Sequence, residues 1–150
     1  MNKKWLGLLG VAAAVPVAGW IGLQVKPAPF PAYPERTPSL DTVALPDGLP
    51  APVERFYRTV YGERVPLINS AVMTGPATIR QFGIRFPGRY RFVHAAGQGY
   101  RHYLEATVFG WPLMKVNEWY LDGKARLDLP VGAVENEPKI DQAASLGLWG

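Results

Sequence analysis

The sequence predicts an α+β fold, mainly β: an N-terminal transmembrane helix, then a curved antiparallel meander sheet, half-barrel-like, packed on helices. Three observations predict it. Trp5–Val25 is a run of 21 residues without a charge. A proline-rich stretch follows it, and beyond Pro66 the hydrophobic period changes from helical to two. The alternating segments are short and divided by Gly-containing turns, the pattern of sequential antiparallel strands rather than of βαβ units.

The totals set bounds. A chain of 150 residues holds one domain with attachments. Apolar residues make up 48% and charged residues 19%, a balance that excludes wholesale disorder. The net charge is +4, and Lys3 and Lys4 at the extreme N-terminus supply half of it. What remains is too weak for a nucleic-acid partner. With no cysteine there is neither a disulfide framework nor a thiolate metal site. No cofactor is expected.

Residues 1–25 read as a membrane anchor or signal segment. As a helix, Trp5–Val25 reaches about 31 Å, the thickness of a hydrocarbon core. Its amides need helical partners in lipid, and Pro16 would kink it. With Lys3 and Lys4 on its N-terminal side, the anchor puts the N-terminus in the cytoplasm and the domain outside a single-pass membrane protein. A secretory signal cut after Ala12–Ala14 is the alternative, and it leaves the domain secreted.

Residues 26–48 read as a linker. Lys26–Pro52 carries eight prolines in 27 residues, so a helix or central strand is excluded. The segment is either an extended spacer or an arm wrapped on the domain through Phe30, Tyr33, Leu40 and Leu45.

The domain, residues 49–150, opens with a helix. Pro52 suits a first turn, Val53, Phe56, Tyr57, Val60 and Tyr61 form an apolar stripe, and Gly62 ends it. The plain amphipathic period predicts that this stripe is core. Strands follow. Phe82, Ile84 and Phe86 share one side, and Pro87–Gly88 is expected as a type II turn. In the next segment Tyr90, Phe92 and His94 oppose Arg89, Arg91 and Val93. Ala96–Gly99, Gly110–Pro112 and Asp122–Gly123 divide the remaining strands, the last being a strong hairpin signal. Pro138 opens a closing helix with Ile140, Ala143, Ala144 and Leu148 on its apolar side.

Strand parity selects the candidate site. His102 shares a face with Leu104, and Glu118 shares one with Val116 and Tyr120. If these faces line one wall, His94, His102 and Glu118 converge in an apolar groove lined by Phe82, Phe92, Leu104, Val116 and Tyr120. A carboxylate there needs a partner, since isolated burial costs several kcal/mol. Such a cluster would grip the head group of a lipid or other hydrophobic small molecule. The plainer reading has each polar residue separately hydrogen-bonded. Parity sends Glu105 to the opposite face, so His102 and Glu105 are not an acid–base pair. No short ligand spacing supports a metal site.

Charge gives a second candidate. From Arg64 to Arg101 there are six arginines and no acid. Parity places Arg85, Arg89, Arg91 and Arg101 away from the apolar face. They would meet lipid head groups at about 1 kcal/mol each, or simply form a solvated face. Neither G-x-S-x-G nor H-E-x-x-H occurs, and an enzyme is the least supported class.

Leu49–Tyr57 ("LPAPVERFY"), Trp119–Leu129 ("WYLDGKARLDL") and Lys139–Gly150 ("KIDQAASLGLWG"), in that order, resemble the bacterial domain of unknown function family number 6544 over roughly Leu49–Gly150. That family typically continues with a glutamate and a tryptophan-containing stretch, so the chain is expected to be a fragment lacking the second half of the domain. By analogy the resemblance implies a curved sheet cupping a helix, like periplasmic lipoprotein carriers, and it assigns no site residue. The functional expectation is a membrane-tethered, non-catalytic domain binding a hydrophobic ligand. The alternative is an envelope scaffold whose groove is filled by its own C-terminal helix.

Overall fold

The computed structural model describes residues 3–31 and 40–148, with side chains in the first helix from residue 12 onward. The Trp5 side chain, Tyr33 and Trp149 lie outside the described residues. The architecture is α+β and mainly β. Among the described residues there are three helices, a two-stranded sheet and a six-stranded antiparallel sheet.

Helix α1 (Lys3–Gln24) forms from the uncharged run. Among the described residues no helix is long and apolar enough to cross a membrane. The spanning expected of this segment is therefore not supported there. Its C-terminal turn docks on the large sheet, where the Phe109 amide donates to the Gly22 carbonyl at 2.8 Å. Gly22 is buried, and a Cβ there would lie 2.7 Å from the Phe109 ring and from Val108. Only glycine lets helix backbone and strand approach so closely.

Strand β1 (Thr42–Ala44) pairs antiparallel with β2 (Arg64–Pro66), and helix α2 (Ala51–Tyr61) lies between them in sequence. Gly62 caps α2 at φ +78° and donates to the Arg58 carbonyl. The expectation that this helix stripe is core is overturned. No α2 residue is buried, and Phe56 is 60% exposed. Among the described residues the helix packs mainly against β2 of the small sheet, which is too narrow to cover its apolar stripe.

The large sheet runs β3 (Ser70–Gln81), β4 (Ile84–Ala95), β5 (Gly99–Val108), β6 (Trp111–Leu121), β7 (Lys124–Leu129), β8 (Gly132–Glu135), each paired with the next. The expected turn at Pro87–Gly88 is not a turn. Both residues lie inside β4, and the chain reverses at Phe82–Gly83. Gly88 is needed for proximity rather than curvature, since a Cβ there would stand 2.3 Å from the Glu105 carbonyl oxygen. Phe82–Gly83, Phe109–Gly110 and Asp122–Gly123 each take positive φ at both residues, the type I′ geometry that matches strand twist.

Because reversals alternate between the sheet's ends, Phe82–Gly83, Phe109–Gly110 and Pro130–Val131 share one end. Ala96–Gln98 and Asp122–Gly123 share the other. Register also sorts the faces. One carries Phe92, His94, Tyr100, His102, Leu104, Val116, Glu118, Tyr120 and Ala125. Helix α3 (Pro138–Gly147) covers one end of it, with buried Ala144 against Tyr100 and Ala125 and with Tyr120, Ile140 and Leu148 around them. The Asp141 carboxylate pins α3 to the β6–β7 turn, accepting from the Ala125 amide at 2.8 Å and from Lys124 Nζ at 3.1 Å. The opposite face carries the proline-rich arm.

Candidate functional site

Two adjacent cross-strand rows build the site. Phe92, His102, Glu118 and Leu127 stand opposite one another across β4, β5, β6 and β7. In the next row His94, Tyr100, Tyr120 and Ala125 do the same. The structure thus brings His94, His102 and Glu118 onto one wall, with their expected neighbours Phe92, Leu104, Val116 and Tyr120.

Their hydrogen bonds follow a diagonal pattern. His94 Nε2 lies 2.7 Å from His102 Nε2. One ring must donate and the other accept, so the bond survives with both rings neutral or one charged, and not with both charged. The Tyr100 hydroxyl donates to Glu118 Oε1 at 2.6 Å. The rings also pack on one another: Tyr100 and His102 stack with centroids 4.3 Å apart, and Phe92 lies tilted 4.2 Å from His102.

This environment shifts two titrations. Burial raises the Tyr100 pKa, and the Glu118 carboxylate that accepts its proton raises it further. Burial lowers the His102 pKa, a charge on His94 would lower it more, and Glu118 opposes both. His102 is therefore held toward its neutral, hydrogen-bonding form. The cluster can offer a polar contact to a ligand or share a proton between two imidazoles. Among the described residues no group of three or more His, Cys, Asp or Glu side chains could hold a metal ion.

Beside these rows, toward the Phe82 end, lies an apolar cleft of about 270 Å³. Phe82, Leu104 and Val116 line it, as do Ile79, Met114 and Val131. Phe92, Tyr120 and the polar cluster stand in the rows beyond, toward α3.

The arginines behave differently from one another. On the arm face, Arg89 Nε lies 2.5 Å from Glu105 Oε1, and Tyr103 donates to the other oxygen at 2.8 Å. Glu105 is only 3% exposed. Burial, then the bond to Glu105, pushes the Tyr103 pKa up to about 12. Arg89 also donates to the Ala28 carbonyl, and Arg91 to that of Pro31. Both guanidinium groups sit over the Phe30 ring, 4.2 and 4.9 Å from its centroid. Ala28, Phe30 and Pro31 thus lie as an arm against this face of the sheet. Arg101 donates to Asn117 at 2.7 Å. Arg85 alone of the four expected arginines has no ion pair or side-chain hydrogen bond among the described residues, and it stands opposite Arg80.

A wider depression of about 630 Å³ lies on the arm face around Arg101, Asn117, Trp119, Arg126 and Asp128. Its polar groups are already bonded to one another, so it offers few free donors.

Sequence reasoning missed Tyr100, although parity alone would have placed it beside His102. It counted Arg80 among the six arginines but did not place it on the outer face with Arg85, because the strand was read as running through Phe82–Gly83 to a turn at Pro87–Gly88.

The fold and site define an antiparallel meander with a His–His and Tyr–Glu cluster bordering an apolar cleft. A family model described as "Family of unknown function (DUF6544)" matches residues 39–150, and the chain belongs to that family. The match begins inside the segment expected as linker, where β1 lies. No curated protein and no solved structure matches the chain.

Proposed function

We propose that this chain is a membrane-tethered domain outside the cytoplasm that binds a lipid-like or other hydrophobic ligand in the cleft of a curved, half-barrel-like sheet. The supporting observation is the uneven cover of one face. Helix α3 shields Tyr100, Tyr120 and Ala125, while the rows holding Leu104, Val116 and Met114 border open space. Apolar surface left concave beside a few convergent polar groups is the usual form of a small-ligand site. The cleft takes the apolar body, and the His94–His102 and Tyr100–Glu118 pairs close its inner end against a head group. The tether is α1, with residues 5–25 in or against the membrane.

The experiment is native mass spectrometry of the full chain after gentle detergent removal, with Val116→Trp as the blocked control. A lipid-sized adduct on the native chain and none on the variant supports the reading. No adduct on either, with both folded, defeats it. The second reading is a non-catalytic envelope scaffold with a self-filled core, and the seating of Ala144 and Ile140 on Tyr100 and Tyr120 favours it. Under that reading Val116→Trp leaves partner assembly unchanged and Ala144→Glu abolishes it.

A further inference from the structure

The two ends of the large sheet differ in chemistry. The turns at one end are Ala96–Gln98 and Asp122–Gly123. Those at the other are Phe82–Gly83, Phe109–Gly110 and Pro130–Val131, with Trp111 opening the next strand. Phe82 is 90% exposed, Trp111 77% and Val131 95%.

Packing accounts for Phe109, whose ring lies against Gly22 of α1, and leaves Phe82, Trp111 and Val131 largely in solvent. Phe82 and Phe109 take φ of 51° and 54°, a region that suits Asn, Asp or Gly and strains a bulky residue. Asp122–Gly123 shows the preferred pair in the same geometry at the opposite end. The Phe82 ring borders the cleft, yet most of it remains in solvent.

Two further features mark the same end. Arg80 and Arg85 face each other in register two residues from the Phe82–Gly83 turn, both exposed. Like charges directly opposite on neighbouring strands repel, and among the described residues neither has an ion pair. Helix α1 joins the sheet here through Gly22 and Phe109, bringing its exposed Val15, Val17, Trp20 and Ile21 to this edge.

We propose that this end of the sheet docks on an anionic phospholipid bilayer. The Phe82, Trp111 and Val131 tips enter the boundary between head groups and acyl chains, and Arg80 and Arg85 hold the phosphates. Aromatic and aliphatic side chains beside cations are the composition that an interface of this kind selects. The cleft opens at the same end, so a ligand drawn from the bilayer would enter it without crossing water. The inference rests on the chain being at a membrane, and the test separates the two.

The chain has no cysteine. Phe82→Cys, Val131→Cys and, at the opposite end, Gln98→Cys therefore each carry one spin label in the full chain. Each is mixed with phosphatidylcholine vesicles with or without phosphatidylglycerol. The labels at 82 and 131 should gain oxygen access and lose access to a water-soluble nickel chelate when phosphatidylglycerol is present, while the label at 98 stays aqueous. Adding Arg80→Gln with Arg85→Gln to the Val131→Cys chain should lower the docked-to-undocked ratio roughly thirtyfold, equivalent to about 1 kcal/mol for each arginine. Failure of the chain to float with vesicles overturns the tether and this proposal together. Flotation with the tips still aqueous overturns the docking end alone. Tips shielded without lipid point to a second copy of the chain and overturn it, as does shielding indifferent to phosphatidylglycerol and to the arginines.

Discussion

His102 and Glu118 stand directly opposite each other on β5 and β6, yet neither bonds to the other. His102 reaches back along its wall to His94, and Glu118 reaches diagonally to the Tyr100 hydroxyl. The carboxylate is thus satisfied by a neutral donor, and the imidazole is left without a hydrogen-bonded counterion in a half-buried place. That arrangement makes stability depend on pH. The pKa of His102 is lowered from 6.5, so the unfolded chain takes up a proton before the folded chain does. Above about pH 6.5 the group has no effect. As pH falls through that value toward the lowered folded pKa, stability is lost, and the loss is complete below it. The urea midpoint should fall between pH 7.5 and pH 5.5, and His102→Gln should flatten the slope. A midpoint that holds steady or rises in that window removes the His–His pair as its cause.

The Tyr100–Glu118 bond should carry more weight than its length in sequence suggests. Tyr100 is 6% exposed and sits beneath α3, with Gly147 3.4 Å from its ring when given a Cβ. Tyr100→Phe keeps the ring and removes the donor, leaving a half-buried carboxylate short of one partner. A loss of about 2 kcal/mol is expected. Glu118→Gln in the same background should recover part of it, because an amide tolerates the missing donor better. Equal losses in the single and double variants would show that the bond is not the source.

Much of the fold was legible because strand parity is a local property. Alternation put His94, His102 and Glu118 each on the apolar face of its own strand, the pairing register joins those faces into one wall, and Asp122–Gly123 announced its own hairpin. Pro87–Gly88 misled because the same glycine that permits a type II turn also permits the close approach to Glu105, and the dipeptide cannot say which is needed. The α2 stripe misled in another way: a helical period fixes which side is apolar, not whether anything covers it. The partners of Arg89 and Arg91 were not legible at all. Ala28 and Pro31 lie about sixty residues upstream, and no spacing rule links an arm to a strand over that distance.

That arm makes a further prediction. Glu105 is nearly sealed from solvent and is bonded to Arg89 and Tyr103, while Arg89 also holds the arm at Ala28. Glu105→Ala strands a part-buried guanidinium, and removing one partner of such a pair costs about 3 kcal/mol. The arm should also loosen, so that amide exchange at Ala28 and Phe30 quickens in the variant. Phe30→Ala should quicken the same amides while costing the sheet far less. If Glu105→Ala leaves arm exchange unchanged, the arm is held by something other than this pair.

Gly88 gives a steric prediction with little room for compensation. An added Cβ would meet backbone, the Glu105 carbonyl oxygen at 2.3 Å, with Ile79 Cδ1 at 2.9 Å beside it. A side-chain end could rotate away, but a paired strand cannot retreat without breaking its ladder. Gly88→Ala should therefore destabilise by about 2 kcal/mol or more, at the upper end of overpacking costs. Gly83→Ala meets no atom within 4 Å but sits at φ +77°, so its cost is conformational alone. It should be smaller, about 1 kcal/mol. Urea denaturation of the two variants checks the order, and a reversal would refute the close approach of β4 to β5.

The Phe82 turn sets local stability against the lipid contact. A type I′ first position prefers Asn, and Phe82 occupies it at φ 51° with its ring largely in water. Phe82→Asn should relieve the backbone at little cost in packing, raising stability by about 1 kcal/mol. The same change removes an aromatic tip from the end that carries Arg80 and Arg85, so docking on phosphatidylglycerol vesicles should weaken as the fold strengthens. Opposite signs in the two measurements are the expected result, because a side chain kept only for packing would lose stability when replaced. A variant that is less stable and docks as well as the native chain would place Phe82 in the fold and not at the bilayer.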